Sequence, residues 1–154
     1  MKLQIASRLA VYALIELAAD PERQLSVAEI GDRYGVSAHH LAKVMSTLGR
    51  ANLVRSVRGA GGGYKFCGNA RRTTLLDVIS MFENVSELEP DTVGDRTEAG
   101  AAFRQVLDEI DDIARATLGS ITIATMLKLI ERRRRQNGGA ERETPAQRRA
   151  SVGI

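Results

Sequence analysis

A glycine-rich stretch near the middle of the chain constrains the fold more than any other segment. Residues 57–65 read Val-Arg-Gly-Ala-Gly-Gly-Gly-Tyr-Lys, with β-prone segments before them (residues 53–57) and after them (residues 64–67). Glycine reaches positive φ angles at little cost, so two such segments joined by glycines predict a β-hairpin. Arg55, Arg58 and Lys65 lie on and beside the turn and indicate a polyanionic partner. We therefore predict a wing that contacts DNA.

Glycine-rich loops also bind nucleotide phosphates, and the element that follows the glycines distinguishes the two cases. A P-loop requires GxxxxGK[ST] at the start of a helix, and a dinucleotide-binding loop requires GxGxxG in the same place. Here the glycines precede a strand-forming segment. The pattern favours a wing over a nucleotide-binding loop.

Two short helices joined by a tight turn precede the wing. Ser26 and Glu29 form a capping-box pattern at the first helix, which we expect to end at Gly35. Ser37 is placed to cap a second helix that runs to about residue 51. Such a pair predicts a helix-turn-helix.

The second of these helices is predicted to be amphipathic. Its apolar residues fall on one side, and a basic, hydrogen-bonding face that suits a major groove falls on the other. The alternative is an ordinary surface helix. The residues on the outer face are His39, Lys43, Ser46, Thr47 and Arg50.

The charge distribution supports a DNA-contacting surface. The net charge is only +3, yet residues 33–72 contain eight Lys or Arg and no Asp or Glu. A block of this kind is the expected footprint of phosphate binding, and chance clustering on a solvated face is the alternative. No apolar run approaches the length of a membrane span, and the single cysteine excludes an internal disulfide. We expect a cytoplasmic protein.

Further helices are predicted on both sides of this region. They cover residues 3–19, a short capped segment from Thr74, residues 97–118 and residues 121–131. Apolar residues of the long helix recur at steps of four and three, which favours pairing between subunits over packing within one domain. These residues are Phe103, Leu107, Ile110, Ala114, Thr117 and Ile121.

The predicted fold class is mainly α with a small β-hairpin wing. Residues 1–83 form a winged helix-turn-helix DNA-binding domain. Residues 84–131 form an acidic loop and the dimerisation helices, and residues 132–154 form a disordered basic tail rich in Arg, Gly, Gln and Glu.

This order of elements, with the wing Val57-Arg58-Gly59-x-Gly61-Gly62-Gly63-Tyr64, resembles a bacterial family of winged-helix regulators. The family is typified by the iron–sulfur cluster regulator IscR and the nitric-oxide-sensing repressor NsrR. The resemblance implies a homodimer that binds promoter DNA, with the third helix in the major groove and the wing in the minor groove. Carried onto matching positions, it implies DNA contacts by Ser37, His39, His40, Lys43, Ser46, Arg50, Arg58, Gly59, Gly61 and Gly62.

The chain departs from the family at the cofactor site. Cluster-binding members hold iron and sulfur with three cysteines between the fourth helix and the dimer helix, but residues 84–100 contain none. Some members add a carboxylate from the first helix, where this chain has Arg8. Because these clusters require thiolate ligands, we predict no cofactor and no metal site.

Two features leave alternatives open, and helix geometry decides a third. Cys67 is either a redox switch near Arg71 and Arg72 or, more commonly for a lone cysteine after Phe, a small buried hydrophobe. The acidic loop is either solvated or a site for a hard cation, without regular ligand spacing. His39 and His40 are adjacent on a helix and cannot chelate one metal together.

The predicted function is a homodimeric, sequence-specific transcriptional repressor. Its partners are promoter DNA and a second copy of itself. No catalytic constellation is present, so we predict that the chain is not an enzyme. The alternatives are a winged-helix protein-interaction module and a metal-responsive or iron–sulfur-responsive regulator that uses non-cysteine ligands.

Overall fold

The computed structural model describes residues 2–85, 94 and 96–140. Most of the predicted acidic loop and the end of the tail lie outside these ranges. The described part contains a hairpin and helices in the order α1 Ile5–Ala19, α2 Val27–Tyr34, α3 Ala38–Arg50, β1 Val54–Val57, β2 Gly63–Phe66, α4 Leu75–Ile79, α5 Glu98–Ser120 and α6 Ile123–Ala140. The prediction of a mainly helical chain with a small wing is confirmed.

Helix α1 lies at the centre of the core. Most of its residues are buried, including Leu14 and Leu17, which are fully enclosed. It packs against α3, α4 and α6, so its apolar residues cover more than one face. Its first turn is tied to the segment that follows α4, because Ser7 Oγ and the Gln4 backbone N–H both donate hydrogen bonds to the Glu83 carboxylate.

The helix-turn-helix forms where the sequence predicts it. The capping box of Ser26 and Glu29 opens α2, and Gly35 ends it with a left-handed φ of 66°. A second glycine, Gly31, permits close packing inside the motif, since a Cβ there would lie 2.7 Å from the Val36 carbonyl oxygen. The turn is therefore specified by two glycines.

The wing is an antiparallel hairpin that is anchored at its base. Val54 pairs with Phe66 and Val57 with Gly63. Outside the hairpin, Leu25 forms a β-bridge to Tyr64 through two backbone hydrogen bonds of 3.0 and 2.8 Å. The loop between α1 and α2 thus holds the base of the two-stranded wing through a single bridge.

Helices α5 and α6 differ from their predicted lengths. The break between them falls at Ile121 and Thr122. It docks on the start of α4, because the Leu75 N–H donates to the Ile121 carbonyl and the Ile123 N–H donates to the Thr73 carbonyl. The predicted end of the last helix at residue 131 is wrong, because α6 continues to Ala140. Arginine and glutamine are good helix formers, so a helix already nucleated by packing extends through them.

No helix in the described ranges combines the length and the apolar character needed to cross a bilayer.

Candidate nucleic-acid interface

Helix α3 presents a polar, basic face to solvent. Its apolar side is buried in the core through Leu41, Val44, Met45 and Leu48. The opposite side exposes His39, His40, Lys43, Ser46 and Arg50. These side chains supply cations and hydrogen-bonding groups for base edges and phosphates.

Two predicted contact residues on α3 also have roles inside the protein. Ser37 caps the helix, since its Oγ accepts a hydrogen bond from the His40 backbone N–H at 3.2 Å. Thr47 is half-buried; its Oγ1 donates to the Lys43 carbonyl at 3.4 Å and accepts from Arg50 Nη2 at 3.3 Å. Arg50 is thereby oriented along the helix, and Thr47 contributes to its position.

The wing tip exposes Arg58 together with the glycines that form the turn. Gly59 and Gly61 have φ angles of 111° and 72°, which only glycine adopts readily, and both are exposed. Gly62 serves packing within the turn, because a Cβ there would lie 2.6 Å from the Val57 carbonyl oxygen. Gly59 and Gly61 therefore shape the exposed tip, and Gly62 closes the turn behind it.

The two basic strand residues have different surroundings. Arg55 and Lys65 are paired across the hairpin. Arg55 is exposed, whereas the Lys65 side chain is only 22% exposed and its Nζ lies 3.7 Å from Glu22 Oε2. Lys65 thus joins the wing to the loop after α1, and Arg55 is the freer cation.

The loop before α2 positions the wing, and the sequence predictions did not include it. Gln24 Nε2 donates a hydrogen bond to the Gly61 carbonyl oxygen at the wing tip. At the base, Gly63 lies so close to Leu25 that a Cβ on it would be 2.5 Å from the Leu25 carbonyl oxygen. The sequence contains a pattern that could have predicted a structural role for this loop. Leu25, before the Ser26 cap, and Ile30, within α2, have the spacing of a hydrophobic staple. Both residues are buried in the structure.

The first helix of the motif is fastened to the core through its last residues. Tyr34 stacks on Tyr12 with ring centroids 4.8 Å apart, and its hydroxyl donates to Glu16 Oε1 at 2.7 Å. Arg33 forms an ion pair with the same carboxylate. The pKa of the Tyr34 hydroxyl is raised above its ordinary value, mainly because the ring is partly buried and secondly because the hydroxyl donates a hydrogen bond to Glu16.

Cys67 is exposed, so the expectation of a small buried hydrophobe is wrong. Its thiol donates to the Asn52 carbonyl oxygen at 3.3 Å, because the chain leaves the wing along the surface beside the turn after α3. The redox switch stays a prediction.

The donor set does not fit a cysteine-ligated iron–sulfur cluster. The whole sequence has one cysteine, which cannot supply three thiolates from one chain. The position from which some relatives add a carboxylate is Arg8, a cation. Among residues 2–85, 94 and 96–140, no three His, Cys, Asp or Glu residues are grouped so that they could hold a metal ion.

The chain is similar to bacterial transcriptional regulators over most of its length. The model of the Rrf2 family, described as an iron-dependent transcriptional regulator, matches residues 3–129. The HTH-type transcriptional regulator BadM of Rhodopseudomonas palustris is 44% identical over 153 residues, which cover 96% of this chain and 98% of that protein. IscR of Xenorhabdus nematophila is 32% identical over 135 residues, covering 83% of this chain and 80% of that protein.

Solved structures show the same architecture. CymR, the global cysteine regulator of B. subtilis, aligns with a TM-score of 0.71 and 30% identity over 84% of this chain and 98% of its own. IscR of T. potens aligns with a TM-score of 0.66 and 29% identity over 83% of this chain and 87% of its own. The predicted family resemblance and the prediction of a regulator instead of an enzyme are confirmed.

Proposed function

The chain belongs to the Rrf2 family of transcriptional regulators, and from that premise we propose that it represses promoters as a cytoplasmic homodimer. In this proposal each subunit inserts α3 into a major groove and its wing into the adjacent minor groove. The paired subunits occupy a two-fold operator, because a dimer that presents two recognition helices favours a palindromic site.

The observation that carries the proposal is the continuity of exposed cations from α3 to the wing. Arg50 is the last residue of α3, Arg55 lies on β1, and Arg58 starts the turn. The backbone hydrogen bond from Leu53 to Leu48 fixes the junction between helix and hairpin. This hydrogen bond and the bridge from Leu25 to Tyr64 hold the wing next to α3, so the two contact elements can meet one duplex together.

We assign base reading to α3 and phosphate contacts mainly to the cations. His39, His40, Lys43 and Ser46 project from the exposed face and supply donors and acceptors that discriminate base edges. Arg58 on the wing suits a narrow minor groove, where an arginine is attracted by the negative potential.

The homodimer is supported by the unpartnered face of α5. Leu118 is the only buried residue of this 23-residue helix. Phe103, Val106, Ile110 and Ile113 are between 50% and 66% exposed and recur at steps of three, four and three. An apolar face of this spacing fits a second copy of the same helix.

The experiment is a salt titration of DNA binding by the full chain. The probe is a duplex that the protein itself selects from a random-sequence library. Arg58→Ala should reduce the magnitude of the negative slope of log K against log salt by about 1.8, because a dimer loses two phosphate contacts. The matched control is Arg8→Ala, which removes an exposed cation near the start of α1. The loop that holds the wing follows the other end of this helix.

The two variants separate specific contacts from general charge. Arg8→Ala should leave the slope unchanged apart from the small effect of net charge. Equal slopes for the Arg58→Ala variant and the wild type would remove the wing from the mechanism. Failure of the wild-type chain to enrich any duplex would refute DNA recognition itself.

A further inference from the structure

Helix α6 carries four consecutive arginines, Arg132 to Arg135, in its last turns. All four are exposed, and none pairs with a carboxylate among the residues that the structure describes. Successive residues on a helix point about 100° apart, so four of them cover the whole circumference. At least one guanidinium therefore faces any surface that this end of α6 approaches.

One arginine of the run, Arg134, lies beside the ends of the two helices that lead to the proposed DNA contacts. Arg134 lines a cleft of about 480 Å³ together with Ala19 and Tyr34, the last residues of α1 and α2. Tyr34 is followed by the turn to α3. Ala19 is followed by the loop whose Gln24 and Leu25 hold the wing.

The charges of this cleft leave the arginines available to an outside partner. Glu16 also lines the cleft, but its two carboxylate oxygens are engaged by Tyr34 and Arg33. Glu131 is the remaining acid of the lining, and Arg134 is the arginine of the run that lines the cleft with it. The three other arginines of the run are exposed beside them on α6. The end of α6 is thus a net positive surface next to the helix-turn-helix.

We propose that the run Arg132–Arg135 binds backbone phosphates of the duplex that flank the contacts of α3 and the wing. Guanidinium groups form bidentate hydrogen bonds with phosphate oxygens and remain charged at all working pH values. Phosphate contacts carry no sequence information, so the run adds affinity and salt dependence without changing specificity. This inference rests on the proposed function and extends its contact surface to a third element.

The test compares two variants on two duplexes. In the first variant Arg132→Gln, Arg133→Gln, Arg134→Gln and Arg135→Gln are combined, and in the matched control the same four positions become Lys. Glutamine and lysine both favour helices, and the positions are exposed, so α6 should keep its helicity by circular dichroism. The duplexes are the selected operator and an unrelated sequence of equal length.

The glutamine variant should bind both duplexes more weakly by the same factor, which leaves the specificity ratio unchanged. One phosphate contact per subunit lowers the salt slope of the dimer by about 1.8. Between 50 and 200 mM salt the wild type should therefore lose about twelvefold more affinity than the glutamine variant. The lysine control should keep the wild-type slope.

The outcomes distinguish this proposal from the one on which it rests. A glutamine variant with the wild-type slope on both duplexes would overturn the contact by α6 while leaving α3 and the wing in place. A loss confined to the operator duplex would also overturn it, since it would assign sequence reading to the run. A wild-type chain that binds neither duplex would overturn both proposals.

Discussion

Replacing Ile110 with Ala tests the proposed dimer at the middle of α5. Ile110 is 55% exposed in the single chain, and Phe103, Val106 and Ile113 on the same face are 64%, 50% and 66% exposed. If two copies of α5 pair along this face, Ile110 of each subunit becomes buried against its partner. The substitution removes apolar surface that only the dimer covers.

The expected effect follows from the exposed fraction. Ile→Ala removes three carbons, and burial of each contributes about 0.8 kcal/mol. Scaling the total by the 55% exposure of Ile110 leaves about 1.3 kcal/mol per subunit. A two-fold interface contains both copies, so the dimer should weaken by about 2.6 kcal/mol, or about 80-fold in its dissociation constant.

The assay is sedimentation equilibrium of the full chain over a range of concentrations. The matched control is Asp108→Ala, because Asp108 is exposed on the same helix about 200° away from Ile110. The control should dimerise as the wild type does. Equal dissociation constants for the Ile110 variant and the control would refute pairing through this face, and a monomeric wild type would refute the dimer.

Two further predictions concern the stability of the DNA-contacting elements. Gly63→Ala should lower the free energy of unfolding by about 1–3 kcal/mol in a urea titration, because the added Cβ would meet the Leu25 backbone. The control Gly138→Ala adds a Cβ in open space and should not lower it. Equal unfolding midpoints for the Gly63→Ala variant and the wild type would contradict the close packing at Gly63. Ser26→Ala should lower the free energy of unfolding by about 1 kcal/mol at neutral pH. The pKa of Glu29 is held below its ordinary value of 4.5, mainly by the hydrogen bond from the Ser26 backbone N–H and secondly by the hydrogen bond with the Ser26 side chain. The stability that ionised Glu29 contributes is therefore present above pH 4.5 and is lost as the pH falls through the lowered pKa. Ser26→Ala removes the side-chain hydrogen bond and keeps the backbone one, so this acid dependence should shrink only in part. A pH profile identical to that of the wild type would argue against the side-chain contribution.

Local patterns along the chain are sufficient to predict the helix-turn-helix and the wing. A capping box at Ser26, a cap at Ser37 and the left-handed Gly35 act within a few residues, so their signals lie next to one another in the sequence. The amphipathic pattern of α3 likewise separates buried from exposed residues, because helical periodicity is a local property. The apolar residues that the pattern assigns to its inner side are the buried ones.

Contacts between segments that are distant in the sequence cannot be predicted from local patterns. The bridge from Leu25 to Tyr64 and the hydrogen bond from Gln24 to Gly61 join residues about forty positions apart. No periodicity within one element encodes such a pairing. The same reason explains Lys65, whose basic character indicated DNA but whose ammonium lies beside Glu22 of that loop.

The apolar face of helix α5 depends both on sequence periodicity and on tertiary packing. The sequence by itself determined that the helix has an apolar seam, because apolar residues recur at steps of three and four. Only the tertiary structure decided which apolar residues of the helix remain available: Leu118 is buried against its own domain, whereas Phe103 and Ile110 of the seam are exposed. Periodicity defines the faces of one helix, and the position of the rest of the chain defines which face is covered.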